Sequence, residues 1–374
     1  MNIIILQKNL KQGVFATSYI TGKNNNLPIL NNVLLQAKDG TIKLISTDLE
    51  MGITSTVRGK IETEGSLTVN AKILSNYINL LPNKKIDLKV EGTVLNIIAD
   101  NYKSKINCEG SDDYPLIPEI GQSEVYTVKI NDFKEVVSAV AFAVSSDDSR
   151  PALAGVLLIV GENNLTLVGT DSYRLAEKRL NLASGKPSEE RRVIIPLKTL
   201  QELVRIIGGD YTDNKDDDEL RIILNDNQIM FSFDSVEIVS RLIDECYPDY
   251  KLIIPNTHKT TCVTSKEELI RAVKTSAIFS KNGINDVILD YKAEVGELLV
   301  SAVSGQTGEN VTNISAKIEG VDNSITINYR YLLDGLNNIK TDLVKMELID
   351  ANTPFLLKQA EGDDYLYIIM PIKR

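Results

Sequence analysis

The chain repeats itself. Val69-Asn70-Ala71-Lys72-Ile73-Leu74 returns as Ile195-Pro196-Leu197-Lys198-Thr199-Leu200 and again as Ile327-Asn328-Tyr329-Arg330-Tyr331-Leu332. Each copy has an apolar residue, a break, and then a base and a leucine at fixed places. Apolar residues continue at helical spacing: Leu74, Ile78 and Leu81; Leu200, Val204 and Ile207; Leu332, Leu336 and Ile339. Such spacing predicts helices with one apolar face. Pro82 and Gly208-Gly209 stop the first two. Repetition at this scale limits the fold more than any single motif does.

A second repeat supports the register. Pro28-Ile29-Leu30-Asn31-Asn32-Val33-Leu34-Leu35 matches Pro151-Ala152-Leu153-Ala154-Gly155-Val156-Leu157-Leu158, and Thr47-Asp48 matches Thr170-Asp171. The third copy is weaker here, with Val287-Ile288-Leu289 and Leu299-Val300-Ser301. Further helices are expected over about 7–21, 131–145 and 265–280. Asp39-Gly40, Gly92 and Asp226-Asn227 each separate two β-rich runs, as hairpin turns do. The expected class is α+β: three similar domains of paired helices and antiparallel sheet, over residues 1–120, 121–256 and 257–374. Leu116-Ile117-Pro118 and Ile253-Ile254-Pro255 mark the boundaries. Asp216-Asp217-Asp218-Glu219 reads as a solvated loop.

The 374 residues are too many for one ordinary core. Apolar content of 43% and charged content of 25% fit a soluble globular chain. Cys108, Cys246 and Cys262 form no C-x-x-C pair, which argues against a disulfide framework or zinc site and fits a reducing cytoplasm. Ile3 to Leu6 is too short an apolar run for a signal peptide or a membrane span.

No catalytic constellation emerges. The one histidine, His258, lies in a polar stretch after Pro255, and neither G-x-x-x-x-G-K-[ST] nor G-x-G-x-x-G occurs. A metal-dependent hydrolase built on Asp171 is the enzymatic alternative, although the spacing of the acids does not ask for one. Basic residues are more informative. Lys72, Lys198 and Arg330 occupy one repeat position; Lys11 and Lys134 share another, with Arg271 and Lys274 near it in the third copy. In a chain of net charge −10 this implies segregated charge facing an anion. Phosphate contacts of this kind carry no base readout. A protein-binding repeat scaffold would explain the acidity but not the recurring base.

Four segments carry a resemblance: Leu27-Pro28-Ile29-Leu30, Gly169-Thr170-Asp171-Ser172-Tyr173-Arg174-Leu175-Ala176, Tyr247-Pro248-Asp249-Tyr250, and Tyr367-Ile368-Ile369-Met370-Pro371-Ile372-Lys373-Arg374. With them, essentially the whole chain resembles the bacterial beta sliding clamps, the processivity subunits of DNA polymerase III. The resemblance implies a DNA clamp fold and a head-to-tail homodimeric ring, with helices inside and sheets outside. It implies no catalysis, no cofactor, no metal and no membrane. The implied partners are duplex DNA without sequence specificity, the polymerase III alpha subunit, the clamp loader, and other polymerases and repair proteins that bring short linear peptide motifs.

The resemblance also implies a peptide pocket between the second and third domains. The second contributes Leu153, Thr170, Ser172, Tyr173, Arg174, Leu175, Pro248 and Ile253. The third contributes Asn328, Tyr331, Ile368, Met370, Pro371 and Ile372. From residue type alone, Leu175, Ile368 and Met370 read as core packing. Ser172-Tyr173 stands where Gly-His is commoner. The apolar tail Tyr367 to Ile372 predicts a strand beside the pocket, since tails are normally polar and frayed. The DNA-facing set is Lys11, Lys72, Lys134, Arg150, Lys198 and Arg330. Asn24, Pro151 and Ala152 replace an arginine and two tyrosines that some members carry. Ile278 and Phe279 are expected to meet Ile106 of the other chain.

Overall fold

The computed structural model describes residues 1–21, 27–118, 120–121, 123–147, 149–209, 218–281 and 283–373. Asn24, Asp216, Asp217 and Arg374 lie outside them. The first repeat runs β1 (Asn2–Leu6), α1 (Gln7–Thr17), β2 (Asn32–Lys38), β3 (Thr41–Thr47), β4 (Met51–Val57), β5 (Gly59–Thr63), β6 (Gly65–Asn70), α2 (Ala71–Leu80), β7 (Lys85–Glu91), β8 (Val94–Ala99) and β9 (Tyr102–Asn107). The second runs β10 (Glu124–Lys129), α3 (Ile130–Ala141), β11 (Gly155–Val160), β12 (Asn164–Thr170), β13 (Arg174–Asn181), β14 (Arg191–Pro196), α4 (Leu197–Ile207), β15 (Glu219–Leu224), β16 (Gln228–Phe233) and β17 (Val236–Arg241). The third runs β18 (Thr260–Ser265), α5 (Lys266–Ala277), β19 (Asp286–Lys292), β20 (Glu297–Ser304), β21 (Gly308–Gly320), β22 (Asn323–Asn328), α6 (Tyr329–Asn338), β23 (Leu343–Leu348), β24 (Phe355–Gln359) and β25 (Tyr365–Ile369).

The repeated motif marks a strand end running into a helix start. Asn70 caps α2, its side chain accepting from the Ile73 N–H at 3.1 Å, and Asn328 caps α6 from the Arg330 N–H at 2.9 Å. Leu74, Leu200 and Leu332 are each fully buried one turn later. At the β2–β3 hairpin, Asp39 and Gly40 take φ of 51° and 74°, the positive values that its two-residue turn needs. Each repeat opens with a strand that the helical reading missed. β1 lies between β5 and β7, so its alternate residues Ile3 and Ile5 are buried. The acidic run is not wholly a loop, because Glu219 opens β15, which pairs with β10.

Two compact units form. One comprises Met1–Phe133, Leu182–Lys186 and Lys198–Leu242, the other Lys134–Asn181, Pro187–Leu197 and Ile243–Arg374. The first holds a five-stranded sheet, β5-β1-β7-β8-β9, and an eight-stranded sheet, β10-β15-β16-β17-β4-β3-β2-β6. Leu10 and Val14 of α1 and Leu74 and Ile78 of α2 belong to one of its apolar cores. The second unit holds a twelve-stranded sheet, β14-β11-β12-β13-β25-β24-β23-β18-β21-β20-β19-β22. Sheet pairing between β13 and β25 brings the C-terminal strand beside residues of the second repeat.

Candidate functional site

A tight turn joins β12 to β13 within the second unit. Asp171 Oδ1 accepts from the N–H groups of Tyr173 at 2.9 Å and Arg174 at 3.0 Å. Thr170 Oγ1 accepts from the Ser172 N–H at 3.2 Å and donates to Arg174 O at 2.7 Å. Asp is suited to this because its short side chain bonds backbone two residues on. Ser172 takes φ 76°, and Tyr173 is 64% exposed. Both Asp171 oxygens are engaged, since Oδ2 accepts from Arg174 Nε at 3.0 Å. Asp171 is therefore a turn former here.

Arg174 is held from several sides. Its Nη1 donates to Asp334 of α6 at 2.5 Å, and its Cζ lies 4.5 Å from the Tyr331 ring centre and 5.5 Å from that of Phe142. Burial works against the charge, but Tyr367, Asp334 and Asp171 outweigh it and raise the guanidinium pKa further. Burial also raises the Tyr367 hydroxyl well above its ordinary value; it donates to Tyr331 O at 3.0 Å.

Leu175 and Ile368 face each other across the β13–β25 pair and are buried with Leu157, Val168, Tyr250 and Leu356. Beyond β25, the Met370 N–H donates to Tyr173 O at 2.8 Å and the Ile372 N–H to Thr326 O at 2.8 Å. Met370, Pro371 and Ile372 remain half-buried. The segment carrying Pro248 and Ile253 is pinned by neighbours. Tyr247 Oη donates to Val168 O at 3.3 Å, and Tyr250 Oη to Glu177 Oε2 at 2.7 Å. Pro248 and Ile253 themselves are exposed. Leu153 is buried in a short 3-10 turn, and Asn328 is the α6 cap already described.

Lys72, Lys198 and Arg330 are each the second residue of their helix, and all three are exposed. No acidic residue occupies the first turn of any of these helices. A helix N-terminus carries partial positive charge, so helix electrostatics disfavours a base there. An external anion removes that conflict. Lys198 is partly compensated, because Asp48 pairs with it. Lys11 and Lys134 are half-buried, and Arg150 is exposed with Nη1 donating to Ser172 Oγ at 3.2 Å. Ile278, at the end of α5, is 70% exposed and Phe279 half-buried; Ile106 lies on β9 with its side chain in the core of its own unit.

Asp334 and Phe142 were missed from sequence, and Tyr367 was expected only as part of the strand beside the pocket. The available signal was that a half-buried arginine needs a counter-ion, but nothing local names an acid 160 residues away. A cavity of about 560 Å³ in the first unit, lined by residues including Phe15, Arg58, Ile206 and Phe233, contains none of the expected site residues. Among the described residues, no group of three or more His, Cys, Asp or Glu is placed to hold a metal ion.

Comparison with known proteins matches three family profiles in succession: the DNA polymerase III beta subunit N-terminal domain at residues 1–118, its central domain at 127–249 and its C-terminal domain at 251–373. The beta sliding clamp of Staphylococcus aureus strain Mu50 is 30% identical over 359 residues, covering 93% of this chain and 92% of that protein. The crystal structure of the DNA polymerase sliding clamp from Bacillus subtilis is similar at TM-score 0.93 and 26% identity, covering 100% of this chain and 99% of that one. A Pseudomonas aeruginosa sliding clamp bound to griselimycin is similar at TM-score 0.94 and 27% identity, with 100% of both chains covered.

Proposed function

The chain belongs to the DNA polymerase III beta subunit family, the beta sliding clamps, and on that premise we propose that two copies close head to tail around duplex DNA and tether the polymerase. The fold is the three-domain DNA clamp fold, and the family's task is processivity, not catalysis. We read the domains as residues 1–120, 121–256 and 257–374.

Unsatisfied strand edges carry the ring reading. β4 is paired by β17, and β13 by β25. At the corresponding place in the third repeat, β21 over Gly308–Ser315 is paired only by β20 among the described residues. In the first repeat, β9 stands where β17 and β25 stand and is the last strand of its sheet. At this one repeat position, an edge is thus left over in each of the outer repeats among the described residues. Head-to-tail pairing of two copies satisfies both edges twice and closes the assembly. The helix faces agree. Thr199 and Ile206 of α4 are 2% and 1% exposed, whereas Ile73 and Leu80, at the same helix positions in α2, are 53% and 82% exposed. Ile278 and Phe279, with Ile106 of the other copy, fall at this junction.

Lys11, Lys72, Lys134, Arg150, Lys198 and Arg330 face the DNA and contact phosphate without reading bases. The surface around Tyr173, Arg174, Pro248, Ile253 and the Met370–Ile372 tail takes a short segment with Leu and Phe anchors. Met370 is flexible enough to accommodate several partners. Those partners are the polymerase III alpha subunit, the clamp loader, and other polymerases and repair proteins. The cytoplasm is the compartment this reading requires, and no helix among the described residues is long and apolar enough to cross a membrane.

Native mass and topology-dependent retention test the reading together. A dimer that stays on closed circular duplex and is lost on linearisation is expected. A monomer at tens of micromolar, or equal retention on both DNAs, overturns it.

A further inference from the structure

The β12–β13 turn has a near copy in the first unit, where β3 runs into β4. Asp48 Oδ1 accepts from the N–H groups of Glu50 at 3.1 Å and Met51 at 2.8 Å, as Asp171 does from those of Tyr173 and Arg174. Thr47 Oγ1 accepts from the Leu49 N–H at 3.0 Å and donates to Met51 O at 2.9 Å, as Thr170 does with Ser172 and Arg174. Leu49 takes φ 78°, against 76° for Ser172. The neighbouring strand repeats as well. The Arg241 N–H donates to Glu50 O at 3.0 Å, as that of Met370 does to Tyr173 O, and Gly52 faces Val239 across β4–β17 as Leu175 faces Ile368 across β13–β25.

The two copies differ in their side chains. Gly52 stands where the other copy has Leu175, and a Cβ added to it would come 2.6 Å from Ile117 Cδ1 and 2.7 Å from Ile117 Cγ1. Ile117 thus rests directly on the Gly52 backbone, an approach that only glycine allows. Ile117 is half-buried while Leu116 and Pro118 on either side are exposed, so this connecting segment puts one side chain into the hollow and leaves its neighbours in solvent. In the second unit the equivalent segment makes a 3-10 turn over Tyr250–Ile253, and Ile253 stays exposed. The stretch from Tyr114 to Pro118 is one residue shorter than that from Tyr250 to Pro255 and has no such turn. At the rim, Glu50 and Arg241 replace Tyr173 and Met370. Their charged atoms lie 3.9 Å apart and both side chains are largely exposed, a loose pair that contributes little and does not close the hollow.

Building on the pocket reading above, we propose that the first unit carries a second peptide cradle, closed by Ile117 of the chain's own connecting segment in the role that a partner's anchor residue plays in the second unit. Its ligand class is the same, an extended segment with an aliphatic or aromatic anchor, because the turn and the strand beside it recur. A tethered occupant acts at high effective concentration, so a partner at micromolar concentration does not displace it. Once opened, the copy binds more weakly than the first pocket, since Arg241 brings a charged head where Met370 brings an adaptable apolar one.

The test counts binding sites on the full chain by titration calorimetry with the Gln-Leu-x-Leu-Phe peptide. Wild type should take one equivalent per chain and Met370→Ala none. On the Met370→Ala background, two further substitutions open the copy from opposite sides. Ile117→Ala removes the occupant, and Gly52→Ala evicts it by placing a Cβ where it rests. Either should restore about one equivalent per chain, at an affinity about tenfold below that of wild type. Absence of binding by both overturns the inference. So does loss of cooperative melting in both, because Ile117 would then be core and not an occupant. A wild-type chain that takes up no peptide overturns the pocket reading itself, and this inference with it.

Discussion

Arg150 donates from Nη1 to Ser172 Oγ at 3.2 Å, so a base expected to face DNA is tied to the exposed turn of the expected peptide pocket. If Arg150 contacts phosphate, Arg150→Ala should lower the slope of log affinity against log salt by about 0.9, whereas Ser172→Ala should leave it unchanged. Filter binding of duplex DNA from 50 to 200 mM salt reads both; equal slopes for wild type and Arg150→Ala would remove Arg150 from the DNA face.

Lys72, Lys198 and Arg330 are predicted to act as a set. Replacing all three with Ala should flatten the same slope by about 2 to 3, with folding intact. Lys198 should matter least, because Asp48 already pairs with it, and Asp48→Asn should increase its share. If the triple variant keeps the wild-type slope, the bases lie elsewhere.

At the pocket, the prediction separates tethering from encirclement. Met370→Ala, or deletion of residues 370–374, should abolish binding of a Gln-Leu-x-Leu-Phe peptide that wild type holds at about micromolar affinity, roughly −8 kcal/mol. Dimerisation and retention on circular DNA should persist. Fluorescence anisotropy is the measurement, and equal binding by wild type and both variants would place the pocket elsewhere.

Ring closure should depend on the end of α5. Ile278→Ala with Phe279→Ala should yield a folded monomer, because a small apolar interface core is lost. Sedimentation at low micromolar concentration decides this, and a persistent dimer rejects the assignment.

The cysteines make a direct test of burial. Burial pushes the Cys262 thiol up to about 12 and raises Cys108 as well, while Cys246 is exposed. Native protein should take up one equivalent of maleimide, at Cys246. Rapid modification of Cys262 without unfolding would contradict the fold around β18.

Glu347 supplies a pH-dependent contribution. Burial raises its carboxyl pKa, but Lys358 at 2.7 Å and Lys345 at 3.2 Å outweigh that and hold it below the ordinary value. A depressed folded-state pKa stabilises above the unfolded value and is lost as pH falls through the folded one. Glu347→Gln should therefore cost about 1 kcal/mol near neutral pH, and the difference should shrink below about pH 4. Urea titrations at pH 7 and pH 3 report it; a gap that widens in acid would reverse the sign.

By itself, the sequence determined what depends on neighbours along the chain. Asn70 and Asn328 announce helix starts because a capping side chain reaches only its own first turn. Asp39-Gly40 announces a hairpin because few residues accept positive φ. The apolar tail announced only part of β25: Tyr367–Ile369 lie in the strand, whereas Met370–Ile372, expected in it, run on beyond its end and stay half-buried. The tertiary structure alone decided which distant groups meet. Asp334 as counter-ion to Arg174, Phe15 against Arg205, and Asp48 against Lys198 leave no local signature, because such contacts require proximity in space and no particular spacing in sequence. The same holds for Ile106. Its residue type suits an interface and a core equally, and only the packing of β8 and β9 turns its side chain inward while leaving the β9 backbone at the edge of its sheet.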